Sequence, residues 1–420
     1  MSQIRLIDRP QVNNEWMGDV PPAWNKMRVR YLFEIKKRIA GRTGLDVLSI
    51  TQSGIKKKDI ESGDGQLSSD YSKYQLVDVG DFAMNHMDLL TGYIDVSPYA
   101  GVTSPDYRVF TIRDKSYNKK YFLYVFQFLY LYKVLFPLGQ GSSHLGRWRL
   151  QSDSFNNIFL PVPPVPEQNK IVKYLDTELE KIREIRSKHS KLLKLLEEKR
   201  LAIINTTTSF GTMGLAASGE YSDRLPTMRV KYIFSLNDEA LSSKTDPNYE
   251  FEYIDISSVN KYEGIKQTES MKFADAPSRA RRIVRKNDII LGAVRTYLEA
   301  IALIGDNADR LIASTGFAVL RPKQSDDAEY LSYALRAPNF MKEVGANSVG
   351  VSYPAINIDR LSALSIPYPS RRERAQIVKL LKVEMQKMDQ LKRKSEIELK
   401  RIREREISLI YHTVTGRIHL

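Results

Sequence analysis

The sequence has no cysteine among its 420 residues. Disulfides, thiolate-bound zinc and thiol nucleophiles are therefore excluded, and a reducing, cytoplasmic setting is expected. Histidine is scarce. His86, His144, His189, His412 and His419 are scattered and match no metal-ligand spacing. His189 falls on an apolar helical seam and reads as a packing residue. No apolar run is long enough for a membrane span; the longest, Tyr121 to Phe136, is interrupted by Gln127 and Lys133 and reads as a buried amphipathic helix. Met1 to Asp8 lacks the apolar core of a secretory leader. There is no Gly-x-x-x-x-Gly-Lys-Ser/Thr loop and no Gly-x-Gly-x-x-Gly after a strand. The Asn/Asp-Pro-Pro-Tyr/Phe motif of amino-methyltransferases is missing as well. No carboxylate pair stands out as an acid–base couple. These absences describe a binder rather than a catalyst.

Positive charge is what the chain has in excess. Lys+Arg number 64 against 50 Asp+Glu, a formal charge of +14. Such a balance favours a polyanionic partner, nucleic acid before a membrane surface. A hydrophobic content of 42% over this length lets two or three domains each bury a core.

The second abundant feature is self-similarity. Leu160-Pro161-Val162-Pro163-Pro164-Val165-Pro166-Glu167-Gln168 opens a charged helical run, and Ile366-Pro367-Tyr368-Pro369 opens another. At an offset of 206 (377 − 171), Ile171 meets Ile377, Leu175 meets Leu381 and Ile182 meets Met388. The same offset pairs Ile185 with Leu391, Leu196 with Ile402 and Ile203 with Leu409; only Leu192, opposite Glu398, breaks the apolar register. The pattern predicts two long helices with an apolar seam, packed as an antiparallel or parallel coiled coil. Upstream, Met27-Arg28-Val29-Arg30-Tyr31-Leu32-Phe33 corresponds to Met228-Arg229-Val230-Lys231-Tyr232-Ile233-Phe234 at an offset of 201 (228 − 27). Whole halves are therefore repeated, not helices alone. Each half reads as short strands and polar loops, then a helix (Tyr121 to about Phe136; Ala328 to about Val344), then a Gly/Ser loop. The expected organisation is an N-terminal arm over 1–20, globular regions over 21–160 and 225–366, proline-led helices over 161–210 and 367–420, and a linker over 211–224.

Two globular halves, each followed by a helix introduced by Pro-x-Pro…Glu-Gln-x-x-Ile-Val, resemble the specificity (S) subunit of type I restriction–modification enzymes. The carrying residues are Leu160 to Val172, and Ile366-Pro367-Tyr368-Pro369 with Glu373 and Ile377-Val378. The second copy departs from the pattern: Arg371-Arg372 replaces Val165-Pro166 and Arg374 replaces Gln168, which bears on how that helix is capped. The resemblance implies an α+β fold with two tandem α/β target recognition domains, each followed by a long helix, the helices packing as an antiparallel coiled coil. It further implies a bipartite double-stranded DNA site, two methyltransferase (M) subunits and motor-nuclease (R) subunits as partners. Catalysis would then lie outside this chain. S-adenosylmethionine would sit in the M subunits, ATP and magnesium in the R subunits, and no cofactor or metal here.

Side chains that can reach base edges are the candidate readers. In the first half these are Ser142, Ser143, His144 and Arg147, with Trp148 and Arg149 behind them, then Asn85 and His86. In the second they are Asn347, Ser348, Ser352 and Tyr353, with Arg295 and Thr296. Lys36, Lys37 and Arg38, Lys56, Lys57 and Lys58, and Arg279, Arg281 and Arg282 form basic clusters suited to phosphate. Three rival readings remain: a self-contained methyltransferase or nuclease, which the missing motifs disfavour; a structural adaptor; and the DNA-recognition module of another defence system.

Overall fold

In the computed structural model, which describes residues 16–60, 68, 70–140, 148–211, 224–306 and 308–420, the sequence repeat is a repeat of strand order. Two compact units are formed. One takes residues up to Lys188 together with Ile397–Leu420, and the other is His189–Glu396.

In the first unit an antiparallel sheet runs in the order Phe33–Lys36, Arg108–Ile112, Phe82–Met84, Ile94–Val96. Beside it, Gln75–Val77 pairs with Gly101–Thr103, and a parallel bridge from Val47 to Val102 connects the hairpin Leu48–Thr51/Gly54–Lys57. The second unit repeats both arrangements. One sheet runs Phe234–Leu236, Phe317–Pro322, Ile289–Gly292, Ile301–Leu303. The other runs Glu269–Lys272, Glu250–Ile254, Leu311–Ser314, Ala280–Ile283, with the parallel pairing again between the two central strands.

The cores differ in chemistry. In the first, the Phe33 ring meets Phe82, Phe110, Phe122 and Phe126 edge-on at 5.3–5.5 Å, the geometry that aromatic quadrupoles favour. The second is built from Ile289, Leu291, Leu320, Leu331 and Leu335 around Tyr330.

Each globular half closes on itself before its long helix begins. Asn25–Arg28 pairs with Phe159–Val162, and Thr227–Arg229 with Ser365–Pro367. Pro161 and Pro367 are tolerated there because these ribbons are two-stranded and an edge needs no further donor. The long helices span Val165–Phe210 and Arg371–Val414. Pro166 is the second residue of the first, where a missing N–H removes no helical bond.

The joint between globular half and helix uses equivalent positions twice, with different contacts. Gln168 Nε2 donates to Pro163 O (2.9 Å), and its Oε1 accepts from the Asn118 backbone N–H (2.9 Å). In the second half Arg374 Nη1 donates to Pro369 O (2.5 Å) and the guanidinium grips Asp327 through bonds of 2.9 Å. Asn118 and Asp327 each immediately precede the helix that follows the sheets. Tyr121 and Tyr330 hydroxyls donate to Pro161 O and Pro367 O at 3.0 and 2.9 Å. Both long helices stop at a left-handed glycine, Gly211 and Gly416, each at φ 74°, the usual helix terminator. Gly211 lies beside Leu225, whose N–H donates to Ser209 O (3.0 Å). Gly416 lies against Pro21 and Trp24, so closely that a Cβ there would fall 2.4 Å from the Pro21 ring.

The helix segments run antiparallel within each unit. In the first, Arg186 pairs with Glu406. In the second, His189 Nδ1 hydrogen-bonds Ser395 Oγ (2.8 Å) and Arg200 pairs with Asp389 (3.0 Å), so one number rises as the other falls. Of the seam residues, Ile171, Leu175, Ile182, Ile203, Ile377, Leu381 and Met388 are buried, and Leu196, Ile402 and Leu409 are partly so. Ile185 and Leu391 are corrections: at 42% and 47% exposure they are not buried with the rest of the seam. Leu179, Ile204, Met385, Ile410 and Val414 are buried in addition.

Three further expectations change. The helix foreseen over Ala328–Val344 is two helices, Ala328–Arg336 and Pro338–Ala346. Ala337 is extended (φ −60°, ψ 132°) because a residue preceding proline avoids helical backbone. The helix over Tyr121–Phe136 runs Lys119–Leu131 and is followed by left-handed Lys133 at φ 60°. Within the foreseen arm, Trp16 and Met17 are buried in the first core, Trp16 on Phe128 at 5.7 Å; residues 1–15, and 212–223 of the foreseen linker, lie outside the described residues. No helix of the described residues is long and apolar enough to cross a membrane.

Candidate nucleic-acid interface

In the second half two loops are sewn together at the end of a sheet. Beyond Ile289–Gly292, Ala293 N donates to Gly316 O (2.8 Å) and Ala293 O accepts from Ile356 N (2.9 Å). Arg295 and Glu299, at φ 53° and 48°, flank a 3-10 turn over Thr296–Leu298. Two left-handed non-glycine residues so close together throw the turn outward and are worth a functional question. The facing loop follows Pro338–Ala346. Ser348 Oγ donates to Val344 O (2.8 Å), and Val349 and Ala355 exchange backbone bonds of 2.8 and 3.0 Å around Gly350. Thr296 Oγ1 and Ser348 Oγ are 2.9 Å apart, and Thr296 N donates to Pro354 O (3.2 Å). The Arg295 guanidinium sits 4.8 Å over the Tyr353 ring.

All six loop candidates of this half are thus brought together, but they are not equally available. Thr296 is buried and bonded to Ser348, and the Asn347 amide is committed to Glu343 O (2.8 Å). Arg295, Ser352 and Tyr353 are exposed. Tyr297, Leu298, Val349 and the fully exposed Val351 surround them and escaped sequence reasoning. Their only signal was bulky apolar side chains in an otherwise polar loop. Glu299 is held by Lys261 (2.6 Å), and Glu263, in the hairpin that carries Lys261, pairs with Lys392 of the long helix (3.0 Å).

In the first half, Ser142, Ser143, His144 and Arg147 lie outside the described residues. Trp148 O accepts from Leu89 N (3.2 Å), and its ring packs on Phe136 at 4.9 Å. Arg149 is exposed on the short strand Arg149–Leu150. His86 is a correction: it is buried, its backbone O accepts from Leu150 N (2.9 Å), and its Nδ1 has no partner. Burial, with the charges of Arg108 and Arg149, pushes its pKa down to about 3, so it is a neutral packing residue and not a reader. Asn85 is half-buried; its side-chain oxygen caps Met87 N (3.2 Å) and its backbone O accepts from the Tyr130 hydroxyl (2.6 Å).

Some members of the basic clusters are ion-paired within their own units and others are not. Lys36 pairs with Asp81 (2.7 Å) and Arg38 with Asp78 (2.9 Å), across the turn before Phe82. Lys57 pairs with Asp46 (2.6 Å), and Lys58 is half-buried. Arg279 pairs with Asp255 (3.0 Å), Arg281 stacks on Phe273 (4.6 Å), and Arg282 is partly buried, which lowers its pKa. Lys37 and Lys56 are exposed and make no ion pair among the described residues. Among those residues no group of three or more His, Asp or Glu is placed to hold a metal ion.

Comparison with known proteins bears on the family and the fold. The model of the type I restriction modification DNA specificity domain matches twice, over residues 24–194 and 227–401. No curated protein matches the chain. One solved structure, described as the structural basis of complex assembly and conformational transition of the type I R-M system, has a TM-score of 0.68 at 16% identity, covering 95% of this chain and 100% of the other. It supports a shared fold. Similarity extends to an HsdS subunit from Thermoanaerobacter tengcongensis (16% identity, 95% and 98% covered, TM-score 0.47). It also extends to a type I S subunit from M. genitalium (13%, 94% and 96%, 0.38). With the domain present twice and spanning most of its length, the chain belongs to the family of type I restriction–modification DNA specificity subunits.

Proposed function

We propose that this protein recognises a bipartite double-stranded DNA site and positions two methyltransferase subunits on it for N6-adenine methylation, and motor-nuclease subunits for cleavage. The observation that carries the reading is the doubled match, each copy taking in one globular half and much of its long helix. A repeated protein suits a split site, with one reader for each half-site and a helical spacer between readers. The regions 21–160 and 225–366 act as the readers, and 161–210 with 367–420 as spacer and docking surface. The chain contributes no catalytic residue. S-adenosylmethionine belongs to the methyltransferase partners, and ATP with magnesium to the motor. Flipping an adenine costs a few kcal/mol, and a clamp on both flanks helps to hold the duplex while that happens. Arg149, Lys37 and Lys56 in the first half, and the Arg295 and Tyr353 loops in the second, are the contacts with free reach.

The test exchanges residues 24–160 for those of another specificity subunit and maps N6-methyladenine across the host genome. One half of the methylated site changes while the other half stays. A change in both halves, or a methylation pattern indifferent to this gene, overturns the reading.

A further inference from the structure

The charge inventory of the paired loops in the second half is unusual for a basic protein. Residues 293–300 and 347–357 contain one cation, Arg295, and one carboxylate, Glu299. The carboxylate is occupied by Lys261 (2.6 Å). Arg295 makes no ion pair among the described residues, as is true also of Arg229, Arg281, Arg282, Arg310 and Arg360 of the same unit, whereas Arg279, Arg285, Arg321, Arg371 and Arg374 do. The Arg295 guanidinium carbon lies 4.8 Å from the centroid of the exposed Tyr353 ring, a cation–π contact that restrains the guanidinium without using its N–H donors. The same two loops carry the exposed, bulky Tyr297, Leu298, Val349 and Val351.

We infer that Arg295 reads a guanine in the major groove of the half-site taken by the second reader, with Tyr353 as its positioning residue. This rests on the DNA-recognition reading above and sharpens it to one base. An arginine fork carries donors only. In the major groove guanine offers two acceptors, O6 and N7, whereas adenine pairs its acceptor with a donor. A phosphate would also accept the fork. But a phosphate grip gathers several cations; within residues 293–300 and 347–357 Arg295 is the one cation, beside apolar side chains suited to base edges and thymine methyls, and the exposed Arg360 next to them is turned to Asn347 O (3.3 Å). The turn between left-handed Arg295 and Glu299 is held from behind by Lys261 and from the side by the Thr296–Ser348 bond.

The experiment uses the full chain assembled with its methyltransferase subunits and a duplex library randomised across the site. Wild type, Arg295→Ala, Arg295→Lys and Tyr353→Leu are compared by selection and by binding at several salt concentrations. The wild type requires a guanine at one position. Arg295→Ala relaxes that position about ten- to a hundredfold, leaving the other half-site and the salt slope as they were. Arg295→Lys relaxes it too, because an ammonium lacks the fork, and Tyr353→Leu relaxes it partly. Replacing that guanine by 7-deazaguanine weakens wild type and leaves Arg295→Ala unaffected. Uniform weakening with a salt slope lower by about one marks a phosphate contact and overturns the inference, as does a profile in which no position relaxes. Should the wild-type assembly select no sequence at all, it is the DNA-recognition reading that falls. Both side chains replaced, Arg295 and Tyr353, are exposed, so unchanged melting temperatures separate these outcomes from misfolding, and Arg295→Lys carries the test should the alanine variant fail to assemble.

Discussion

Gln168 and Arg374 stand at equivalent places in the repeat and perform one mechanical task with different electrostatics. Each ties the proline segment to the first turn of its helix, through Pro163 O or Pro369 O. Each also holds the residue before the preceding helix, Asn118 by a neutral hydrogen bond and Asp327 by a buried ion pair with a Tyr368 ring 4.1 Å over the guanidinium. Removing one partner of a buried pair leaves the other charge uncompensated, at a cost of about 3–5 kcal/mol. Arg374→Gln is therefore expected to destabilise the second unit by about that much. Adding Asp327→Asn, which removes the stranded buried carboxylate, should recover most of it, although in the first half Gln168 bonds the Asn118 backbone N–H and not its side chain. Urea denaturation of the two variants checks this; a double variant no more stable than the single one would show that the pairing is not what holds the joint. The sequence exposed Arg374 only as a departure from pattern. Its meaning depends on Asp327, 47 residues away, a distance across which no local periodicity operates. His86 misled for a related reason: polar residues after a Gly-Asp turn resemble a reading loop, and only the sheet packed over it shows that the ring faces inward.

The long helices and the strands beside them were legible because a constant offset carries information that single positions do not. Residues 206 apart, such as Ile171 with Ile377 and Leu175 with Leu381, are both buried in their own units. What the offset does not encode is cover. Ile185 and Leu391 keep the register perfectly and are exposed, as are Leu192, Leu195 and Ile397. Periodicity tells which face of a helix is apolar; what lies against that face is a tertiary fact. The energetic consequence is sharp. Leu175→Ala or Leu381→Ala should cost about 2–5 kcal/mol by opening a cavity. Ile185→Ala or Leu391→Ala, equal in register, should stay within about 0.5 kcal/mol in the isolated chain. Denaturant midpoints of the four variants discriminate a graded seam from a uniform one. The break before Pro338 was missed because apolar spacing continues through it: Leu335 and Phe340 are both buried on either side of Ala337.

At the level of the whole molecule, sequence halves and compact units do not coincide. The first unit needs residues 397–420, whose Ile410 and Val414 are buried in its core, while the second is one uninterrupted stretch. The glycine that ends each long helix explains the pattern. Gly211 delivers the chain to Leu225, where the second globular half begins, and Gly416 delivers it to Pro21 and Trp24, where the first begins. Each unit thus holds one junction of the same kind, the end of a long helix meeting the start of a globular half. A chain opened within 212–223, with residue 420 joined to residue 16 through a short linker, should fold with a melting temperature within a few degrees of the parent and keep the same DNA site. Thermal unfolding and site selection on such a permutant would measure it. On the proposed reading of one reader per half, an exchange made at these two junctions replaces one reader without rebuilding the other, so half a gene suffices for a new specificity.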